Sequence, residues 1–170
     1  MNLSPNLTPK HADESATEMV QVVLPNDANP LGFILGGTVM HLIDIAGAIA
    51  SHRHTRSRVV TAAVDDLQFL HPIKVGDLII LKARVTCAFK TSLEVQVDVY
   101  SEEALTGTRL LTSRAFLTFV AVSGTGDRVP VPPIVVDTDR ARQICEEAHA
   151  RREQRLRKKN ETLRLEPWAP

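Results

Sequence analysis

Apolar and polar residues change rhythm along this chain, and each change marks an element. From 81 to 89, Leu81, Ala83, Val85, Cys87 and Phe89 alternate with Lys82, Arg84 and Thr86. From 92 to 100, Leu93, Val95, Val97 and Val99 alternate with Glu94, Gln96 and Asp98. Period two is the mark of a strand with one buried and one wet face. Branched residues fill 59–69 until Pro72, and a long apolar strand is expected over 109–122. Turns fall at Lys74-Val75-Gly76-Asp77 and at Leu105-Thr106-Gly107. An earlier strand is expected at 18–24, stopped by Pro25.

One stretch breaks the alternation. Gly36-Gly37 opens a segment, 36–54, that is oily on nearly every side, which predicts a helix buried all round. The preceding 25–35 (PNDANPLGFIL) is rich in turn formers. A charged helix is expected from 139 to about 163. A helix followed by antiparallel strands, one sheet face covering it, is an α+β arrangement. The expected organisation is a flexible N-terminal tail (1–17), one domain (18–136), and a charged C-terminal helix and tail (137–170).

Composition narrows the function classes. The 170 residues suffice for one well-formed core. Twenty basic residues balance twenty acidic ones, so no overall field draws the chain to nucleic acid. No apolar run reaches the roughly 20 residues that span a bilayer. The polar start lacks an oily signal core, so cytoplasm is the default location and no membrane partner is expected. Cys87 and Cys145 are far apart without CxxC spacing, and neither a disulfide framework nor a zinc site is expected. His52, His54 and His71 add no metal spacing.

The candidate chemistry lies around the helix. Asp44 sits within the oily segment, where a carboxylate is costly unless something pairs with it or uses it. It is either a base or nucleophile, or an acid bound to a nearby hydroxyl. His41, three residues earlier, either shares its face or reaches solvent. Gly36 and Gly37 leave backbone N–H groups unobstructed at a helix start, a place that favours oxyanions; alternatively they only let a loop pass close to the sheet. Asn29 is a turn former or a group that orients water or a carbonyl. Gly37 and Asp44 lie two turns apart, about 10 Å along one helix, too far to reach a single carbonyl within one chain. Two such helices meeting antiparallel in a dimer remove that obstacle.

The run from Pro25-Asn26-Asp27-Ala28-Asn29-Pro30 through Gly36-Gly37-Thr38 to Asp44-Ile45-Ala46-Gly47-Ala48 resembles the core motif of hotdog-fold acyl-CoA thioesterases, in the acyl-CoA hydrolase branch. Val60-Thr61-Ala62-Ala63-Val64-Asp65-Asp66, then Val75-Gly76-Asp77, Leu105-Thr106-Gly107-Thr108 and Val131-Pro132-Pro133-Ile134 extend the likeness in order. The resemblance implies a sheet wrapped around one long helix and a homodimer, assembled further as a trimer of dimers. It implies hydrolysis of fatty acyl-CoA, with Asp44 as general base or nucleophile and Asn29 supplied by the partner chain. Gly37 and Gly36 would serve the thioester oxygen. Ala62, Ala63 and Val64 would offer backbone to pantetheine, Thr91, Ser92 and Leu93 would line the nucleotide end, and Arg151 or Arg152 would meet a phosphate. Coenzyme A enters as part of the substrate, and neither metal nor separate cofactor is required. The alternative is a non-catalytic acyl-CoA-binding hotdog protein.

Overall fold

The computed structural model describes residues 7–162. Five antiparallel strands form one sheet: β1 (Thr17–Val22), β2 (Arg58–Phe69), β3 (Leu78–Ala88), β4 (Ser92–Glu102) and β5 (Arg109–Val122). They lie in the order β1-β3-β4-β5-β2, so β1 and β2 are the edges. Helix α1 (Gly36–Thr55) packs on one face of this sheet, and helix α2 (Asp139–Thr162) lies on the other. Among the described residues no helix is long and apolar enough to cross a membrane.

The period-two pattern gives the inner face directly. Ile79, Leu81, Ala83 and Val85 of β3, with Leu93, Val95, Val97 and Val99 of β4, are buried against Val39, Leu42, Ile43, Ala46 and Ala50 of α1. These helix positions recur at three- and four-residue spacing, one face of a helix. Contact is closest at Gly47, where a Cβ would stand 2.8 Å from the buried Phe119 ring.

Three expectations need correction. First, α1 is not buried all round in one chain. Its opposite stripe is open: Met40 is 47% exposed, His41 is exposed, and Asp44 and Ala48 are half-buried. The oily pattern was real, but one sheet covers only one side. Second, the segment before β1 is not a loose tail. Lys10 N–H donates to the Pro133 carbonyl at 3.0 Å, and the Lys10 carbonyl accepts from Val135 N–H at 2.8 Å. The Lys10 ammonium donates to the His54 carbonyl at the end of α1, and Ser15 is fully buried. The rest of the expected tail, 1–6, lies outside the described residues. Third, Cys87 and Cys145 form a disulfide. A bulge between Val85 and Cys87 interrupts the alternation and turns Cys87 away from the core face, towards α2.

Candidate active site

Asp44 is bound by its own chain. The hydroxyl of Thr61, on β2, donates to its Oδ1 at 2.6 Å. Among the described residues His41 gives it no hydrogen bond. One carboxylate oxygen is thus fixed from the sheet, and among the described residues no hydrogen bond to the other is found.

The helix start has the expected open geometry. Leu35 caps it with backbone only, and the first helical bond runs from Val39 N–H to the Leu35 carbonyl at 3.1 Å. The N–H groups of Gly36, Gly37 and Thr38 therefore lie ahead of the helical ladder. Nothing comes within 4 Å of where a Gly37 Cβ would stand, so its backbone is approachable. Beside Gly36 lies a cavity of about 310 Å³, lined by Ile34, Val39, Phe69, Leu70 and Ile73 among others.

Asn29 closes its own loop. Its Oδ1 accepts from Leu31 N–H at 3.0 Å and from Phe33 N–H at 3.2 Å. The carbonyl half of the amide shapes the turn, which leaves the Nδ2 group as the donor it can present. Asp27 reinforces the loop by accepting from Leu35 N–H at the helix entry.

A second cavity, about 510 Å³, brings together Ala62, Ala63, Val64, Thr91 and Ser92. Its cationic wall is Arg128, Arg152, Arg155, Lys158 and Lys159. Positions 152, 155 and 159 fall on one helical face, a spacing visible in the sequence. Arg155 is steadied by Asp65 of β2 at 2.5 Å, and Arg152 stacks over Phe89 at 5.0 Å. Two expected contacts are elsewhere. Leu93 is 0% exposed, because its parity on β4 points it into the core. Arg151 instead forms a bidentate pair with the fully buried Glu94 and stacks over Phe116 at 3.8 Å. Thr86 also donates to Glu94, at 2.7 Å. Sequence reasoning missed Thr61 as the partner of Asp44, although it stands first in the block Thr61-Ala62-Ala63-Val64.

A helix wrapped by a five-stranded antiparallel sheet, with an acid on the helix and an amide-rich helix start, defines a hotdog-fold thioesterase. The family model "Thioesterase superfamily" matches residues 31–108, and the chain belongs to this family. It is 35% identical over 162 residues to the uncharacterized acyl-CoA thioester hydrolase YkhA of Bacillus subtilis, covering 91% of this chain and 94% of that one. It is 42% identical over 125 residues to the cytosolic acyl coenzyme A thioester hydrolase of Mus musculus, covering 69% of this chain but spanning only 33% of that protein's length. Among solved structures, an apo-hexameric acyl-CoA thioesterase superposes with a TM-score of 0.83 at 40% identity, covering 88% of this chain and 97% of the other. An acyl-CoA hydrolase from Staphylococcus aureus, in complex with butyryl coenzyme A, coenzyme A and coenzyme A disulfide, gives a TM-score of 0.83 at 32% identity, covering 91% and 94%. Single alanine variants of that hydrolase at an asparagine, an aspartate and a threonine have also been solved. Those three positions are separated by 15 and 17 residues, as are Asn29, Asp44 and Thr61 here.

Proposed function

We propose that this chain hydrolyses fatty acyl-CoA to a carboxylic acid and coenzyme A, at a site shared between two copies of the chain. The observation that carries this reading is the carboxylate of Asp44, anchored by Thr61 and half-buried on the stripe of α1 that one chain does not cover. The named relatives, and the shared spacing of Asn29, Asp44 and Thr61, support it.

Two features support a homodimer. The open stripe of α1 carries Met40, and the edge strand β2 exposes Val60, Val64 and Phe69 at 51%, 45% and 52%. An apolar stripe beside an unpaired strand edge is suited to a second copy. An antiparallel partner helix would bring its Gly37 towards this chain's Asp44 and complete what one chain holds apart. The hexameric relative supports further assembly of dimers, as a trimer of dimers. Cytoplasm remains the proposed location.

In the proposed site the thioester oxygen meets the N–H groups of Gly36 and Gly37, with Asn29 Nδ2 orienting water or carbonyl. Preorganised donors at a developing oxyanion are worth about 3–4 kcal/mol each. Oδ2 of Asp44 takes a proton from water as the water oxygen attacks the carbonyl carbon. The tetrahedral oxyanion collapses, the C–S bond breaks, and coenzyme A leaves as a thiolate that then takes up a proton. The acyl chain enters the apolar cavity beside Gly36. The phosphates of coenzyme A meet the basic wall of Arg128, Arg152, Arg155 and Lys159, and the strand backbone at Ala62, Ala63 and Val64 lies along pantetheine.

The test mixes two inactive chains. Asp44→Ala and Asn29→Ala homomers should each lose turnover of palmitoyl-CoA, Asp44→Ala by a factor of about 10²–10⁴. Co-refolded, they should regain one intact site per mixed dimer. Mixed dimers that form yet stay inactive would overturn the shared site. Full turnover by Asp44→Ala would overturn its catalytic role. Tight binding of acyl-CoA by the wild type with no hydrolysis would select the binding-protein alternative.

A further inference from the structure

The disulfide between Cys87 and Cys145 joins β3 to α2 across 58 residues, with Cα atoms 4.8 Å apart. It lies upstream of the cationic wall on the same helix. Arg152, Arg155 and Lys159 follow Cys145 by 7, 10 and 14 residues, about 10–20 Å along the axis. Apart from it, α2 is held mostly by polar and aromatic side chains and little by apolar burial. Of its described residues only Ala148 is a fully buried hydrophobe. Other anchors are Arg151 to Glu94, Arg155 to Asp65, the stacking of Arg151 and Arg152 on Phe116 and Phe89, and the edge-to-face contact of His149 with Phe89. A helix that buries so little apolar surface gains little from the hydrophobic effect, so a covalent tie sets its position disproportionately. Cys87 is buried, whereas Cys145 is half-exposed and offers the sulfur that an incoming thiolate reaches first.

We propose that Cys87 and Cys145 form a reversible thiol–disulfide site, whose oxidised state holds α2 on the sheet and assembles the cationic end of the acyl-CoA site. The proposal rests on the assignment of the 510 Å³ cavity to the coenzyme A phosphates. The exchange partner is a dithiol, which supplies two electrons. Its first thiolate attacks Sγ of Cys145, the Cys87–Cys145 bond breaks, and Cys87 leaves as a thiolate that takes up a proton. The second thiol of the reductant then attacks the mixed disulfide. Cys145 is released as a thiol, and the reductant departs as its own disulfide. In a glutathione-buffered compartment, disulfides are mostly of this transient or sensing kind.

The whole protein is equilibrated with oxidised glutathione or with dithiothreitol, and excess reagent is removed. Free thiols are then alkylated under denaturing conditions and counted by mass. Coenzyme A binding is measured by calorimetry, and hydrolysis of palmitoyl-CoA by loss of thioester absorbance. The oxidised protein should protect both cysteines. The reduced protein and Cys145→Ser should bind coenzyme A about ten-fold more weakly, with KM raised and kcat unchanged, as expected for loss of one charge-assisted contact. Cys145→Ser should ignore the redox treatment. Three results would overturn the proposal: thiols that stay free after oxidation, equal affinity in both states, or one zinc ion per chain held by the reduced pair. The last is chemically reasonable, because ligand atoms of Cys87, Cys145 and His149 lie within 4.8 Å of one another. Redox-dependent binding of coenzyme A without hydrolysis in either state would sink the hydrolase reading and leave this inference standing.

Discussion

Thr61 holds Asp44 through a 2.6 Å hydrogen bond that ties the edge strand β2 to the middle of α1. The bond occupies Oδ1 and so determines which oxygen is left to act. Thr61 is therefore a positioning residue in the proposed reaction. Thr61→Val keeps shape and β-propensity but removes the donor. Its kcat should fall about 10–100-fold with KM within about two-fold, by the logic of a misplaced base. Thr61→Ser should restore most of the rate. Steady-state kinetics on folded oligomers decides the matter: a valine variant that keeps its rate while the serine variant loses it would mean the methyl group, not the hydroxyl, is what counts.

The pair Arg151–Glu94 predicts a stability effect. Glu94 is 0% exposed and accepts two bonds from Arg151, at 2.8 and 3.1 Å, and one from Thr86. Arg151→Met leaves a buried carboxylate without its cation, a change that costs about 3–5 kcal/mol. For a chain of this size that is a fall in Tm of about 6–20 °C. Arg151→Met with Glu94→Leu should recover much of the loss, because both charges are then gone. Thermal melts of the two variants test this. A single variant as stable as the wild type would show that the pair contributes nothing net.

The elements were legible because burial on a pleated sheet has a strict period, which Leu93, Val95, Val97 and Val99 of β4 follow, as does β3 up to its bulge. The segment 36–54 was legible as a helix for the opposite reason, its lack of alternation. What it could not reveal was how much of that oil one chain covers, since Met40 and Ala48 carry the same hydrophobic signal as Leu42 and Ala46. Register was the harder problem. The bulge at Val85–Cys87 reverses the parity of one residue and thereby makes the disulfide possible. Nothing in a sequence with two cysteines 58 positions apart signals that. The Thr61–Asp44 bond and the Arg151–Glu94 pair are likewise long-range meetings, visible only once α1, β2 and α2 have been placed on the sheet. Ala62, Ala63, Val64, Thr91 and Ser92 share a cavity, and of the two arginines expected beside them Arg152 lines it, with Arg128, Arg155, Lys158 and Lys159, whereas Arg151 does not.

Gly47 predicts the cost of filling a close approach. A Cβ there would lie 2.8 Å from Cε2 and 2.9 Å from Cζ of Phe119, which is itself 1% exposed and cannot retreat into solvent. Two effects oppose each other in Gly47→Ala. Helix propensity favours alanine by about 1 kcal/mol. Overpacking a rigid core costs about 1–3 kcal/mol. The clash should win by up to about 2 kcal/mol, lowering Tm by up to about 8 °C. In Gly47→Ala with Phe119→Leu, the alanine should become neutral or stabilising relative to Phe119→Leu alone. A melt in which Gly47→Ala stabilises the wild type would show that α1 can lift from the sheet at little cost.

His54 makes stability depend on pH. It is fully buried at the end of α1, its Nε2–H donates to the Pro132 carbonyl at 2.9 Å, and its Nδ1 has no partner. Burial is the main cause that lowers its pKa from the ordinary 6.5, and the Lys10 charge adds to it, while the Pro132 bond and Glu14 oppose it more weakly. Above pH 6.5 the ring is neutral in both folded and unfolded chains and contributes no slope. As pH falls below that value the unfolded chain takes up a proton that the folded chain refuses. Unfolding then becomes easier by up to about 1.4 kcal/mol per pH unit, until the lowered folded pKa is reached and the loss levels off. His54→Gln keeps an amide donor for Pro132 but cannot titrate. It should be less stable than the wild type at pH 8, and the gap should narrow as pH falls below 6.5. Denaturant titrations of both proteins across that range supply the comparison, and a gap that stays constant would show that His54 does not titrate on unfolding.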